Sequence, residues 1–215
     1  MSNGVSNVDA NRFRRQRFQI FLSKLKDLRP KNGAISVLDV GGTMAYWEGV
    51  RDMWAAFPLD ITIVNLGVEE SDQDVFHIRN GNACDLGHLP DRSFDIVHSN
   101  SVIEHVGQWV DMEAMAGEVR RLASSYYLQT PNFWFPMEPH YRTLFFQMYP
   151  EAMRARMLMT RRRGFRGPHQ SLGAAMRDLQ TVNLLTARQL SALFPDGKLI
   201  REKFCGLTKS LIVCR

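Results

Sequence analysis

The chain has 215 residues, 45% of them hydrophobic, a formal net charge of +5 and three cysteines. That length and apolar content suffice for one buried core of ordinary domain size. No apolar run approaches the roughly 20 residues of a membrane-crossing helix, and the N-terminal stretch lacks the apolar segment of a secretory signal. Cys84, Cys205 and Cys214 are odd in number and without metal-type spacing; they read as reduced thiols of a cytoplasmic protein rather than a disulfide frame.

Residues 1–30 read as a basic amphipathic helix. Phe13, Phe18, Ile20, Phe21, Leu22, Leu25 and Leu28 supply its apolar face, and Arg12, Arg14, Arg15 and Arg17 cluster beside it. Such a helix either docks on the core with its basic side in water or meets phosphate groups or an anionic membrane surface. Next comes AISVLDVGGTMAYWE (34–48), a β-branched run that ends in an acid and two glycines. A run of this kind reads as a parallel strand covered on both faces. Glycines at its carboxyl end let the backbone turn tightly, so that a ligand can rest against bare peptide groups.

Strands are expected at Ile35–Val40, Asp60–Asn65, Val75–Ile78, Phe94–His98 and Ser125–Thr130, with helices over Met44–Phe57, Val102–Gly107 and Met112–Leu122. This alternation implies crossover connections and a mostly parallel sheet. Residues 132–176 carry little periodicity and a second basic cluster (Arg154, Arg156, Arg161, Arg162, Arg163 and Arg166); they read as an inserted cap. Thr186 and Gln189 form a capping box that starts a further helix. Leu199–Phe204 and Ser210–Cys214 then make a terminal hairpin that adds an antiparallel strand to the sheet. The whole chain, 1–215, is read as one domain, and nothing in it sets an oligomeric state.

Four pieces, in order, carry a resemblance: VLDVGGT (37–43), ITIVNL (61–66), GNACDLGHLPDRSFDIVHSNSVIEHVG (81–107) and YYLQTPNFWFPMEPH (126–140). The chain resembles the class I S-adenosylmethionine-dependent methyltransferases, in particular a small bacterial branch with a DVGGT-type first motif. The resemblance implies an α/β Rossmann-like fold: a seven-stranded, mostly parallel sheet with a C-terminal antiparallel strand and helices on both faces. It also implies S-adenosylmethionine as cofactor. Asp39 would hold the first loop through backbone N–H groups or face the cofactor's ammonium through water. Gly41 and Gly42 would let the main chain approach the methionine moiety. The family's loop has further glycines where this chain has Thr43 and Ala45, both still small. Tyr46 and Trp47 either wall the pocket or pack the following helix.

Asn65, beside Leu66, stands where the family places an acid on the ribose hydroxyls; an amide can still pair with a diol. Glu69 and Glu70 could substitute or cap a following helix. Asn82 takes the place of the adenine-contacting acid, with Asp85 as second candidate, while Ala83 and Cys84 would face the ring; Cys84 also reads as a small buried filler. Ser99 and Asn100 would border the methionine part.

In related enzymes the segment Val102–Val106 lines the meeting place of cofactor and acceptor, which makes His105 the leading general base. Its other reading is a hydrogen bond across the cleft. Glu104 could hold it or, as in some family members, bind a metal. A metal needs two or three convergent ligands and only this pair is nominated, so none is expected. The aromatic loop Phe133–Tyr141 would cover the acceptor site, with Glu138 and His140 as further acid/base candidates. Thr130-Pro131-Asn132 replaces the Asn/Asp-Pro-Pro-aromatic element of enzymes acting on amino groups in nucleic acids. The expected reaction is O-methylation of a small hydroxylated metabolite, such as a sugar or natural-product intermediate. RNA or protein docking through the Arg-rich cap and a non-catalytic partner subunit are the alternatives.

Overall fold

The computed structural model describes residues 4–29 and 33–215; residues 1–3 and 30 of the expected N-terminal helix lie outside the described residues. The strands are β1 (Ile35–Val40), β2 (Leu59–Asn65), β3 (Ser71–Gln73), β4 (Phe76–Asn80), β5 (Ile96–Asn100), β6 (Ser125–Pro131), β7 (Met137–Glu138), β8 (Thr143–Leu144), β9 (Lys198–Phe204) and β10 (Leu207–Cys214). Eight of them form one sheet in the order β3-β4-β2-β1-β5-β6-β10-β9, and β7 pairs with β8 alone. Pairings β1–β2, β1–β5, β2–β4 and β5–β6 are parallel, and β10 runs antiparallel to β6. The expected mostly parallel sheet is therefore present, with one strand more than expected. The extra strand is β3, which turns back on β4 at Asp74 (φ +53). Glu69 and Glu70 precede that edge strand instead of capping a helix, and Glu70 accepts from the backbone N–H of Asn80 (3.2 Å).

Helices cover both faces: α1 (Gly4–Asp27), α2 (Met44–Glu48), α3 (Arg51–Trp54), α4 (Trp109–Leu122), α5 (Glu151–Thr160), α6 (Leu172–Leu179) and α7 (Ala187–Leu193). The helix expected over Met44–Phe57 is broken at Gly49, and Val102–Gly107 is not an α-helix but holds a 3-10 turn, Ile103–His105. Alternation along β1 and β5 sets the two cores. Ile35, Val37 and Ile96 pack with Phe18, Phe21, Trp47 and Trp54 on the α1–α3 side, while Leu38, Val40 and Val97 pack with Met115, Val119 and Leu190 under α4 and α7. Side chains at every second strand position share a face, so Asp39 and His98 fall on the α1–α3 side. Arg15 pairs with the exposed Asp52 (2.6 Å) and Arg17 with Glu202 of the edge strand β9 (3.1 Å), so part of the basic side of α1 is matched by acids. The cap carries its own cluster of Tyr141, Phe146, Ala155, Leu158, Ala175, Leu179 and Val182, reaching past the expected end at 176.

Candidate functional site

At the carboxyl edge of the sheet a crevice of about 180 Å³ is lined by Gly41, Val64, Asn65, Leu66, Gly81, Asn82, Ala83, Val102, His105 and Val106. Gly41 has φ +74, and a Cβ there would lie 2.5 Å from a Val102 methyl. Gly42 is required for a different reason: its Cβ would fall 1.6 Å from Asp39 Oδ2. Both positions need bare backbone, one for conformation and one for contact. The loop is anchored by Gly41 N–H donating to Val64 O (2.7 Å).

Several expected residues take different parts. Asp39 does not accept from the loop: Trp47 Nε1 donates to its Oδ2 (2.6 Å) and His98 Nδ1 meets its Oδ1 (2.8 Å). The strand's two-residue period turns this carboxylate into the core. Trp47 is wholly buried and so packs the helix rather than walling the pocket. Thr43 caps α2, accepting from Tyr46 N (3.3 Å). Asn65 Nδ2 donates to Gly42 O (3.0 Å) while its Oδ1 accepts from Leu66 N (2.9 Å). That amide braces the glycine loop; a carboxylate could accept from Leu66 N but could not donate to Gly42 O. Asn82 closes a turn by accepting from Cys84 N (3.0 Å), and Asp85 is exposed beyond the crevice. Cys84 rests on α4, its Sγ donating to Asp111 O (3.3 Å), and burial raises its thiol pKa. Ser99 is buried and donates to Val40 O (3.1 Å), a strand-to-strand tie away from the crevice. Asn100 lines a different cavity of about 400 Å³, shared with Ser101, Gln129, Met137 and Arg14 of α1.

Against the crevice stands a second constellation. His105 Nδ1 lies 2.8 Å from Thr181 O, and a carbonyl only accepts, so Nδ1 carries the proton and Nε2 holds the free lone pair. Burial lowers the His105 pKa, the Thr181 carbonyl opposing it. His140 Nδ1 meets Glu138 Oε1 (2.7 Å), and the other carboxylate oxygen of Glu138 accepts from Tyr141 N (2.6 Å). The two imidazoles stand perpendicular with centroids 4.8 Å apart. Glu104 is fully buried, its Oε2 accepting from Thr130 (2.8 Å) while Oε1 has no partner. Burial pushes its carboxyl up to about 7. Thus the separately nominated His105, His140 and Glu138 lie together, and Glu104 joins them. Val102 and Val106 lie in the segment expected there; sequence reasoning missed Val64 and Gly81 in the crevice, and Thr181 behind His105. Only Gly81, a glycine just after a strand, left a signal.

The residues present fit S-adenosylmethionine. A cradle that a Cβ would fill, amides at Asn65 and Asn82, and apolar walls at Val102 and Val106 suit a nucleoside with one flat and one polar aspect.

Residues 42–125 match a family model described as a methyltransferase domain. No curated protein is significantly similar in sequence. Among solved structures, one described as a methyltransferase from an antibiotic biosynthesis pathway of Anabaena variabilis superposes with TM-score 0.50 and 15% identity, over 85% of this chain and 64% of that one. The chain thus spans less than two thirds of that relative's length. A Haloferax volcanii protein described as a methyltransferase, in complex with the Trm112 activator, gives 0.51 and 12% over 95% and 91% of the two chains. A Haemonchus contortus phosphoethanolamine N-methyltransferase, solved with S-adenosylhomocysteine, gives 0.50 and 15% over 84% and 38%. At such identities the likeness is one of fold. The matched segment holds Gly42, Asn65, Asn82 and His105; over it the chain is similar to a methyltransferase domain, and its fold is the one these methyltransferase structures share.

Proposed function

We propose that the protein methylates a hydroxyl oxygen of a small metabolite, with Gly41, Asn65, Asn82 and Ala83 holding the cofactor and the His105–His140 pair taking the acceptor's proton. S-adenosylmethionine supplies, when bound, an electrophilic methyl on a sulfonium. One observation carries the reading: His105 lines the crevice of the glycine loop with Nδ1 tied to a carbonyl, which leaves a basic Nε2 at the transfer edge. Its lowered pKa keeps the imidazole neutral, and so proton-accepting, at physiological pH. The Glu138 carboxylate fixes the tautomer of His140 in the same sense.

The arginine cluster supports polyanion docking less than its sequence suggests. Arg154 and Arg163 are half-buried and Arg166 pairs with Asp178 (2.7 Å), which leaves Arg156, Arg161 and Arg162 in water. An intact loop, braced by Asn65, favours an enzyme over a non-catalytic subunit. Three free thiols and the absence, among the described residues, of any helix long and apolar enough to cross a membrane favour the cytoplasm.

Transfer of a labelled methyl group across a panel of hydroxylated metabolites, amines, RNA and proteins tests the acceptor class. With an acceptor found, His105→Ala and His140→Ala should each lower kcat by ~10²-fold or more. Full turnover in both variants and in their combination removes the base assignment, and labelling confined to RNA or protein removes the small-molecule reading.

A further inference from the structure

The geometry points to a binding site for one divalent transition-metal ion, ligated by Glu104, His105 and His140. The sequence offered only the first two, adjacent in the chain; the fold brings His140 to them from the cap. One ligand atom from each of the three lies within 4.8 Å of the others. Bonds of about 2.0–2.2 Å would place tetrahedral neighbours ~3.4 Å apart, so the side chains need close by little more than an ångström.

Three features separate this cluster from a chance gathering. Glu104 Oε1 is buried without a hydrogen-bond partner, an arrangement that costs free energy unless a cation or donor meets it. Each imidazole gives its Nδ1 proton to an acceptor behind it: the Thr181 carbonyl for His105 (2.8 Å) and the Glu138 carboxylate for His140 (2.7 Å). Histidines that bind metals are oriented in this way, with Nε2 presented forward. Finally, Glu104 and Glu138 are two buried carboxylates with no arginine or lysine paired to either among the described residues. A divalent ion would balance that charge.

Two imidazoles and one carboxylate select a zinc-, manganese- or cobalt-type ion over magnesium or calcium, which prefer all-oxygen shells. Three protein ligands leave a coordination position open for water or an acceptor oxygen. The inference rests on the proposed reaction only for its use, and in the loaded protein it puts a metal-held acceptor in place of the imidazole base assigned to the metal-free protein. In the loaded protein the ion, rather than a proton, occupies the imidazole lone pairs. A hydroxyl that coordinates it loses its proton to solvent more readily.

The test uses untagged, chelator-treated protein without cofactor or acceptor, titrated calorimetrically with Zn²⁺ and, for its visible spectrum, with Co²⁺. One ion per chain with micromolar or tighter affinity is expected, at least a hundredfold tighter than Mg²⁺. Glu104→Gln and His140→Gln should each weaken binding by more than tenfold, and Glu138→Gln by about tenfold through the ligand behind His140. Thermal melting guards against misfolding: Zn²⁺ should raise the midpoint of the native chain but not that of a folded His140→Gln variant. No binding up to millimolar Zn²⁺, or binding untouched by all three substitutions, overturns the site. Neither result touches the methyl-transfer reading, which the labelling assay decides separately.

Discussion

Asp39 and His98 meet Oδ1 to Nδ1 at 2.8 Å across the β1–β5 pairing, both wholly buried and directly beneath the glycine loop. His98 also stacks on Tyr127, centroids 5.4 Å apart, and its Nε2 reaches the Tyr46 hydroxyl (3.3 Å). Asp39→Ala would strand the Trp47 N–H and the imidazole together, costing about 3 kcal/mol. Urea denaturation measures the loss. A cost below about 1 kcal/mol would show that the network holds little of the fold.

The two loop glycines are predicted to differ from glycines that merely turn. At Gly42 an added methyl group meets the Asp39 carboxylate, which the core prevents from moving, so Gly42→Ala should cost about 3 kcal/mol or more and abolish S-adenosylhomocysteine binding. Gly206 sits at φ +80 in open space at the terminal hairpin, where Ala should cost only ~1 kcal/mol and leave binding intact. Equal losses at the two positions contradict the contact argument.

Asn65→Asp separates the brace from the family's usual ribose contact. A carboxylate cannot donate to Gly42 O, and repulsion between it and the loop carbonyls should weaken S-adenosylhomocysteine binding by about tenfold. If titration calorimetry instead shows tighter binding, the ribose role outweighs the brace.

His77 joins β4 to its neighbours through Asp72 (2.6 Å) and Asp60 (2.8 Å). The hydrogen bond to Asp72 is the largest influence and raises its pKa above 6.5; burial, the next largest, opposes it, and Asp60 adds to the rise. A raised folded-state pKa favours the protonated form, so the stabilisation is full below pH 6.5 and fades as pH climbs through the folded value. The thermal midpoint of the native chain should therefore converge on that of His77→Gln between about pH 6 and pH 9. A constant difference would mean that the ion pairs do not contribute.

Much of the fold was legible because β-branched runs and their breakers are local signals. Ile35–Val40 was placed to the residue, and the Thr186–Gln189 capping box starts α7 as expected. Gly49 hid the break between α2 and α3, since a single glycine within an apolar pattern reads as tolerable in a helix. β3 was missed because Ser71, Asp72 and Gln73 have no strand-like composition; pairing with β4 alone makes them a strand. Within the site, glycines and polar residues at strand ends announced the crevice. Their partners did not: Asp39 finds His98 through a neighbouring strand, and Asn65 finds Gly42 through the loop it follows. The placing of His140 beside His105 depends on the path of the cap, which carries no period to read.

One wall of the crevice is laced to the cap. Asn183 donates its backbone N–H to Glu104 O (2.8 Å) and its amide to Gly107 O (2.9 Å), next to the Thr181 carbonyl that holds His105. Behind the loop, Gly42 lies on the buried Asp39, whose carboxylate is held by Trp47 and His98. The stitches of Asn183 tie the Val102–Gly107 wall to the segment that follows α6. Displacement of the Val102–Gly107 segment would strain these stitches and, with them, the carbonyl that orients His105.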